Sequence, residues 1–398
     1  MIPRSIAPKL RSLASTFPVV TVTGPRQSGK TTLCRAAFPD HAYVSLERPD
    51  VREHAVRDPL DFLHRLGDRA ILDEVQRAPD LLSYLQVEVD RHRAPGRFVL
   101  TGSHNFLLIE GVSQSLAGRT ALLRLLPLSL DEVRRFPAPP RSLDDVLWTG
   151  GYPAIYQEGH APGDWLAAYV ATYLERDVRS LQEIRDLRAF QTFLGLCAGR
   201  TAQVLNLSAL CSDAGVSAGT ARAWLGILEA SFVVTLVPGW STNLRKRLIR
   251  SPKLHFLDSG LCAWLLGIRS PGDLALHHAR GALFESWIVA EILKSRYARG
   301  LPADLHHVRN QKGEEIDLLV DDGVRRTLVE VKAGRTVSGD AFRPLHRWQS
   351  LLGDEAERGT WRRILVHGGE EASTREGIEV VPWADLPGRI VSEGASPS

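Results

Sequence analysis

A glycine-rich segment near the amino terminus carries residues suited to phosphate chemistry. Residues 24–31 read G-P-R-Q-S-G-K-T and fit the pattern G-x-x-x-x-G-K-[ST] at every defined position. In such a loop, backbone N–H groups wrap a triphosphate, the lysine reaches the β- and γ-phosphates, and the hydroxyl joins the Mg²⁺ shell. We predict that the loop binds ATP and Mg²⁺, with Lys30 on the phosphates and Thr31 on the metal. The predicted ATP-binding residues are Gly24, Pro25, Arg26, Gln27, Ser28, Gly29, Lys30, Thr31 and Thr32.

Two adjacent carboxylates close the next apolar segment that is suited to a buried strand. Residues 69–74 read R-A-I-L-D-E, so Asp73 and Glu74 stand where this strand ends. An acidic pair in this position, downstream of a phosphate loop, resembles a Walker B element. We predict that Asp73 completes the Mg²⁺ shell and that Glu74 polarises the attacking water as the catalytic carboxylate. The alternative is an ordinary exposed turn at the end of the strand.

Both motifs need a sheet to position them, and the flanking sequence predicts one. An apolar segment, 17–23, precedes the loop and a helix-like segment, 32–38, follows it, which disfavours a chance glycine turn. Further strand candidates alternate with helical segments at 43–46, 69–74, 96–103 and 121–128. This alternation predicts an α/β fold whose sheet is mainly parallel and covered on both faces.

A third constellation lies in the last third of the chain. A helix predicted over 281–297 carries Glu285, a strand at 316–320 carries Asp317, and a strand at 327–332 carries Glu330 and Lys332. The latter two are two residues apart on a strand and therefore share one face. The set resembles the PD-(D/E)XK nuclease superfamily, which implies that Asp317 and Glu330 bind a second divalent cation and that Lys332 orients water.

Two other interpretations of this constellation remain open. The domain is a degenerate nuclease fold retained for DNA or subunit binding, or Lys332 makes a simple ion pair with one carboxylate. A simple pair would leave the other acid unexplained, because a buried carboxylate needs compensation. A short turn at 321–323, D-D-G, is expected to bring the two acidic strands together.

Composition limits the class of protein. The chain has 398 residues, 44% hydrophobic and 24% charged, with a formal net charge of +3, which fits two or three ordinary globular domains and permits nucleic acid binding without requiring it. Four scattered cysteines without a C-x-x-C motif favour a reducing compartment over a disulfide framework or zinc site. No apolar run approaches the roughly 18 residues of a membrane span. We therefore expect a cytoplasmic protein without a membrane partner.

Several short segments occur in an order typical of one family. They are G-P-R-Q-S-G-K-T-T at 24–32, L-D-E-V-Q at 72–76, L-T-G-S at 100–103 and L-A-G-R at 116–119. The similarity continues through P-L-S at 127–129, G-G-Y-P at 150–153, Y-L-E-R-D at 173–177 and P-K-L-H-F-L-D-S-G at 252–260. The chain thus resembles bacterial and archaeal AAA+-like ATPases with a C-terminal domain of unknown function. The resemblance implies architecture more than biological role.

The same resemblance suggests two further catalytic residues. In AAA+-type ATPases a polar residue after the strand at 96–103 senses the γ-phosphate, which favours Ser103, with Asn105 as the second choice. Arg119 is a candidate arginine finger, and such fingers usually act across a subunit boundary. This implies a homo-oligomer, in the form of a ring. An ordinary turn residue and an exposed structural arginine are the alternatives.

The middle of the chain has the pattern of a winged helix. A helix starts at 207–210, a turn at 215–217 places Ser217 as N-cap, a second helix covers 218–228, and a wing strand follows at 232–237. The second helix offers chiefly Arg222 to solvent. More positive charge follows it, and phosphate contacts would supply DNA affinity there, through Arg245, Lys246, Arg247 and Arg250. Packing or protein contact is the alternative role.

We therefore predict an α/β protein whose P-loop AAA+-type domain precedes a helical and winged-helix middle and a restriction-endonuclease-like C-terminal domain. The predicted boundaries are 1–135 for the ATPase domain, 136–200 for a helical lid, 201–270 for the winged helix, 271–390 for the nuclease-like domain and 391–398 for a disordered tail. The leading functional prediction is an Mg²⁺-dependent ATPase coupled to DNA. The main rival is an ATP-driven regulator with an inactive nuclease fold and a protein partner, and a metabolic P-loop kinase is disfavoured.

Overall fold

The amino-terminal part of the chain forms the predicted parallel sheet. The computed structural model describes residues 2–103, 115–174, 186–240, 251–310, 312–352 and 360–389. Within these residues the first sheet has five strands, all parallel, in the order β2-β3-β4-β1-β5. The strands are β1 (Val19–Thr23), β2 (Ala42–Ser45), β3 (Ala70–Asp73), β4 (Phe98–Gly102) and β5 (Thr120–Arg124). The last strand is shorter than predicted because it pairs with β1 alone, and β1 ends at Thr23, opposite Arg124.

Among the described residues, helices cover both faces of this sheet. They are α1 (Ala7–Ala14), α2 (Lys30–Ala37), α3 (Pro49–Arg57), α4 (Pro59–Leu66) and α5 (Leu81–Arg91). Because neighbouring strand residues point to opposite faces, Leu72 and Leu100 pack with α3–α5, whereas Ile71 and Val99 pack with α1 and α2. The proline at the start of α3 and of α4 occupies a position where its missing N–H costs nothing.

Short helices follow the sheet. They are α6 (Leu130–Val133), α7 (Leu143–Thr149), α8 (Pro153–Gln157), α9 (Pro162–Tyr169) and α10 (Leu187–Ala198). Capping boxes at Ser129–Glu132 and Ser142–Asp145 fix the starts of α6 and α7, since each box satisfies two backbone donors. These helices bring apolar residues against the strands and helices that follow in the chain.

The segment predicted as a winged helix contains two helices and a small antiparallel sheet. Helices α11 (Leu207–Ala214) and α12 (Ala218–Ala230) flank the turn, and Ser217 caps α12 by accepting from the Thr220 N–H, as predicted. The strands are β6 (Gln203–Val204), β7 (Val234–Val237) and β8 (Lys253–Phe256), in the order β6-β8-β7. The wing strand begins two residues later than predicted because Phe232 adopts a left-handed φ of 57°.

The C-terminal part forms a mixed sheet of six strands within the described residues. Its strands are β9 (Leu305–Arg309), β10 (Glu315–Asp322), β11 (Arg325–Lys332), β12 (Thr360–His367), β13 (Ser373–Arg375) and β14 (Ile378–Pro382). Their order is β13-β14-β12-β11-β10-β9. The pairs β9–β10, β10–β11 and β13–β14 are antiparallel, and the pairs β11–β12 and β12–β14 are parallel. The helices are α13 (Ser259–Leu265), α14 (Pro271–Leu276), α15 (Arg280–Ala298), α16 (Arg343–Leu352) and α17 (Leu386–Arg389).

One apolar core spans most of the chain after the first sheet, and a separate cluster packs α16 against the other face of the C-terminal sheet. The buried members of the larger core run from Leu126 to Leu386 and include Phe193, Phe256 and Trp287. The predicted boundaries at 200 and 270 therefore divide residues that share a core. Among the described helices, none is both long and apolar enough to cross a bilayer. Three expectations lie outside the described residues: Asn105, the basic segment 245–250 and the tail at 391–398.

Candidate functional site

Two glycines shape the phosphate loop between β1 and α2. Gly24 has a φ of 155°, and a Cβ built on it would lie 2.0 Å from the carbonyl oxygen of Leu125. Gly29 has a φ of 90° and forms the left-handed N-cap of α2. Only glycine accepts both the close approach at the first position and the left-handed backbone at the second. The loop is thereby bent so that Lys30 begins the helix directly beneath it.

Lys30 holds the loop from inside. Its Nζ donates to the carbonyl oxygens of Gly24 at 2.9 Å and Pro25 at 2.8 Å, and the side chain is buried. Burial lowers the pKa of Lys30, while the carboxylates of Glu74 and Asp73 oppose that shift. A phosphate oxygen would offer this ammonium group a charged partner in place of two neutral carbonyls, which is the stronger kind of hydrogen bond.

Asp73 stands at the end of β3 and gathers three hydroxyl donors. Thr31 lies 3.1 Å from each of its carboxylate oxygens, and Tyr43 donates to one of them at 2.8 Å, while Thr101 donates to the other. The structure thus brings Thr31 and Asp73 together, as the Mg²⁺ prediction requires. Burial and the bond to Asp73 raise the pKa of Tyr43 to about 12, so its phenol remains a donor at neutral pH.

Glu74 is held in a special conformation directly after Asp73. Its φ of 57° and ψ of 46° are left-handed, which is uncommon for a residue other than glycine and costs roughly 1–3 kcal/mol. Its Oε2 accepts from the Ser103 hydroxyl at 3.0 Å and from the amide of Gln76. Ser103 therefore lies beside the predicted catalytic carboxylate. Sequence reasoning missed Gln76, although it stands only two residues further along the chain.

A cavity of about 860 Å³ opens between the loop and α8. Its polar wall includes Lys30, Thr31, Asp73 and Glu74, and its apolar wall comes from Phe136, Pro153 and Trp165. This volume lies in the range of about 300–1,000 Å³ typical of small-ligand sites. The predicted loop residues Arg26, Gln27, Gly29 and Thr32 also line the cavity.

Arg4 supports the loop from outside, a role that the sequence did not reveal. Its guanidinium donates to the carbonyl oxygens of Ser28 at 2.6 Å and Leu126 at 2.8 Å, and it pairs with Glu132 at 3.0 Å. Burial alone would raise the pKa of Glu132, but Arg4 and the N–H groups of Ser5 and Ser129 hold it below its ordinary value. The loop is therefore fixed to the start of α6 by a buried charged pair.

Arg119 lies far along the sheet from its own phosphate loop. Its backbone oxygen accepts from the N–H of Val19, at the first residue of β1, whereas the loop follows the last residue of that strand. Its guanidinium makes two hydrogen bonds to Asp90, at 2.8 and 2.7 Å. Arg119 is thus not part of the site in its own chain, and a role across a subunit boundary remains a prediction.

The C-terminal constellation is brought together as predicted. The register pairs Leu318 with Val329 across the hairpin of β10 and β11, so that Asp317 and Glu330 are neighbours. Asp317 accepts from the backbone N–H of Val331 at 2.8 Å, and Lys332 donates to Glu330 at 2.6 Å. Glu285 reaches the same place from α15. The structure therefore assembles the four predicted residues Glu285, Asp317, Glu330 and Lys332.

The compensation of charge in this cluster differs from the prediction. Lys253 enters from β8 and pairs with Glu285 at 2.9 Å, with Glu315, and with Asp317 at 3.9 Å. The expectation that a lysine pair would leave one acid unexplained is therefore wrong, because it considered Lys332 alone. Within the described ranges, no group of three or more His, Cys, Asp or Glu side chains is arranged to hold a metal ion.

Family comparisons divide the chain into three segments. Residues 16–134 match the family described as AAA domain, residues 140–272 match the domain of unknown function DUF8612, and residues 280–386 match the domain of unknown function DUF4143.

Individual relatives extend the comparison to most of the chain. The chain is 33% identical over 341 residues to the uncharacterized proteins Rv2008c of Mycobacterium tuberculosis and Mb2031c of Mycobacterium bovis, covering 84% of this chain and 75% of each relative. Among solved structures, the Walker-type ATPase PABY2304 of Pyrococcus abyssi is similar with a TM-score of 0.44 and 15% identity, over 67% of this chain and 96% of the other.

Proposed function

The chain belongs to the family of AAA-domain proteins with a C-terminal DUF4143 domain, and we propose that it binds ATP with Mg²⁺ and hydrolyses it at the phosphate loop. The observation that carries this proposal is the contact between Thr31 and Asp73, 3.1 Å apart, with Glu74 and Lys30 lining the same cavity. A hydroxyl and a carboxylate side by side are the hard oxygen donors that Mg²⁺ prefers.

Each residue has a distinct role in this proposal. Lys30 exchanges its two loop carbonyls for oxygens of the β- and γ-phosphates. Thr31 and Asp73 would hold Mg²⁺, which would neutralise charge on the phosphates. Glu74 accepts a proton from the attacking water. Ser103 holds the carboxylate of Glu74 in place, through the hydrogen bond of 3.0 Å.

The proposal is tested by separating binding from turnover. Glu74→Gln should retain ATP binding and lose most turnover, because it removes the base and leaves the Mg²⁺ ligands. Lys30→Ala should weaken ATP binding, because it removes the cation that faces the phosphates. Binding is measured with a fluorescent ATP analogue and turnover by phosphate release.

Glu158→Gln is a matched control, since Glu158 also lines the cavity but lies outside both motifs and pairs with His160. It should leave turnover close to that of the unmodified protein. Undiminished turnover in Glu74→Gln would show that another group activates the water.

A coupling of ATP hydrolysis to DNA remains a separate prediction. It depends on positive charge at Arg245, Lys246, Arg247 and Arg250, all of which lie outside the described residues. Arg222 is exposed on α12, as expected from the sequence. Binding to duplex, single-stranded and branched DNA at low salt, with and without ATP, tests this prediction. If none of these forms binds, the rival with a protein partner takes its place.

A further inference from the structure

The C-terminal acidic cluster consists of Glu285, Glu315, Asp317 and Glu330, and it already contains a buried ammonium group. Lys253 is 2% exposed, and its ammonium group faces Glu285, Glu315 and Asp317. An ammonium group held against three carboxylates at this depth is positioned as their counter-ion.

The position of Lys253 is fixed from outside the C-terminal sheet. His307 of β9 donates its backbone N–H to Pro238 at 3.0 Å, and its carbonyl oxygen accepts from Trp240 at 2.8 Å, beyond the end of β7. The His307 ring donates to the carbonyl oxygen of Ser251 at 2.9 Å, two residues before Lys253. These bonds hold the small antiparallel sheet against β9. Lys253 of β8 therefore lies inside the cluster.

Lys332 supplies a second ammonium group, which donates to Oε1 of Glu330 at 2.6 Å, yet one buried acceptor of the cluster stays unpaired. Glu330 is 3% exposed, and its Oε2 has no hydrogen-bond partner among the described residues. A cavity of about 400 Å³ opens onto Asp317 and Glu330 from solvent. A divalent ion would give Oε2 of Glu330 the partner that neither Lys253 nor Lys332 supplies, because carboxylate oxygens are the ligands that such ions prefer.

We propose that this cluster is a divalent-cation site in which the ammonium group of Lys253 takes the place of the metal ion. The wild-type protein then binds no divalent ion there while β8 stays docked. Replacing Lys253 by a neutral residue of similar shape should open the site to Mn²⁺ or Mg²⁺. The site is thus occupied by a residue of β8. The pattern of Asp317 and Glu330 in the sequence does not reveal this.

The test is a Mn²⁺ titration without nucleotide, followed by the electron paramagnetic resonance signal of free Mn²⁺. The Lys253→Met protein should bind one more Mn²⁺ per chain than wild type. Its dissociation constant for this ion should be at least tenfold lower than that of wild type at the cluster. Adding Asp317→Asn should abolish the gain. Lys294→Met is the control, because Lys294 is also a buried lysine paired with a carboxylate, Glu291, but outside the cluster.

Two results would overturn the proposal. One is Mn²⁺ binding to wild type that depends on Asp317 and equals that of Lys253→Met. The other is a folded Lys253→Met protein that binds no additional ion. If the single variant does not fold, Lys253→Met with Glu315→Gln removes one charge of each sign, and the same two results are then decisive for that protein. Folding is followed by near-UV circular dichroism.

Discussion

At the scale of single residues, Gln76 is the least expected part of the ATP site. Its amide donates to Glu74 and lies 3.4 Å from the Ser103 hydroxyl, while its own carbonyl oxygen is buried without a partner among the described residues. The amide thus fixes the carboxylate that should activate water. The unpaired carbonyl oxygen of Gln76 could accept a hydrogen bond from the water molecule that Glu74 activates.

We expect Gln76→Leu to lower kcat about ten- to a hundredfold with little change in KM for ATP. A hydrogen bond to a charged group contributes about 1.5–3 kcal/mol, and this one acts on Glu74 rather than on the nucleotide. Steady-state ATPase kinetics measure both constants. Gln157→Leu is the control, since Gln157 lines the cavity from α8 and should act, if at all, on KM. A change confined to KM in Gln76→Leu would refute this role.

The sequence predicted the ATP-site residues that belong to contiguous motifs. Lys30 and Thr31 follow from the loop pattern, and Asp73 and Glu74 follow from a strand that ends in two acids. Tyr43 and Thr101 could not be predicted in the same way, because their contact with Asp73 depends on strand order: β2 and β4 flank β3.

Arg4 and Lys253 illustrate a second limit of sequence reasoning. Arg4 reaches a backbone oxygen 24 residues away at Ser28 and another 122 residues away at Leu126. In the sequence, Lys253 stands out only as part of a family segment, and its partners Glu285 and Asp317 lie on other elements. A single sequence does not reveal such pairings, because no local spacing encodes them.

At the scale of elements, two glycine-containing segments fasten α7 to α13. Asp258 caps α13 by accepting from the Leu261 N–H at 2.9 Å, and it also accepts from the Gly151 N–H at 2.7 Å. A Cβ on Gly150 would lie 2.3 Å from the Asp258 carboxylate, and one on Gly260 would lie 2.7 Å from the Thr149 oxygen. The segments G-G-Y-P and L-D-S-G thus form one joint between distant parts of the chain.

We expect Gly150→Ala to lower the free energy of unfolding substantially. Gly150 combines a φ of 72° with a ψ of −162°, a backbone region that essentially only glycine adopts and that costs an alanine roughly 1–3 kcal/mol. The contact with Asp258 adds overpacking of about 1–3 kcal/mol. Urea unfolding followed by fluorescence measures the loss.

Gly67→Ala provides the matched control for this prediction. Gly67 ends α4 with φ of 72° and ψ of −161°, nearly the angles of Gly150, but a Cβ added there would meet no atom of the described residues within 4 Å, so this variant measures the backbone cost alone. Equal losses in the two variants would mean that the contact with Asp258 contributes nothing.

At the scale of the whole molecule, buried polar contacts join the phosphate loop to the C-terminal part. Arg4 links Ser28 to Glu132, and the start of α6 is held by α15: the Leu130 N–H donates to Glu291 at 2.9 Å. Helix α15 also carries Glu285 of the acidic cluster. The ATP site and the acidic cluster are therefore both connected to α15 by polar contacts.

Assembly also belongs to this scale, and the sequence predicted it from Arg119. Because Arg119 lies at the opposite end of β1 from its own loop, it can act on phosphate only if another copy of the chain presents it.

We therefore expect Arg119→Ala and Lys30→Ala to be nearly inactive alone and to recover ATPase activity when mixed. In a random equal mixture, about a quarter of the interfaces pair an intact loop with an intact arginine, so roughly a quarter of wild-type activity should return. Phosphate release measures the recovery, and Asp90→Asn, which removes only the partner of Arg119 within its own chain, should remain active. No recovery on mixing, together with a fully active monomer in light scattering, would assign Arg119 to its ion pair with Asp90 alone.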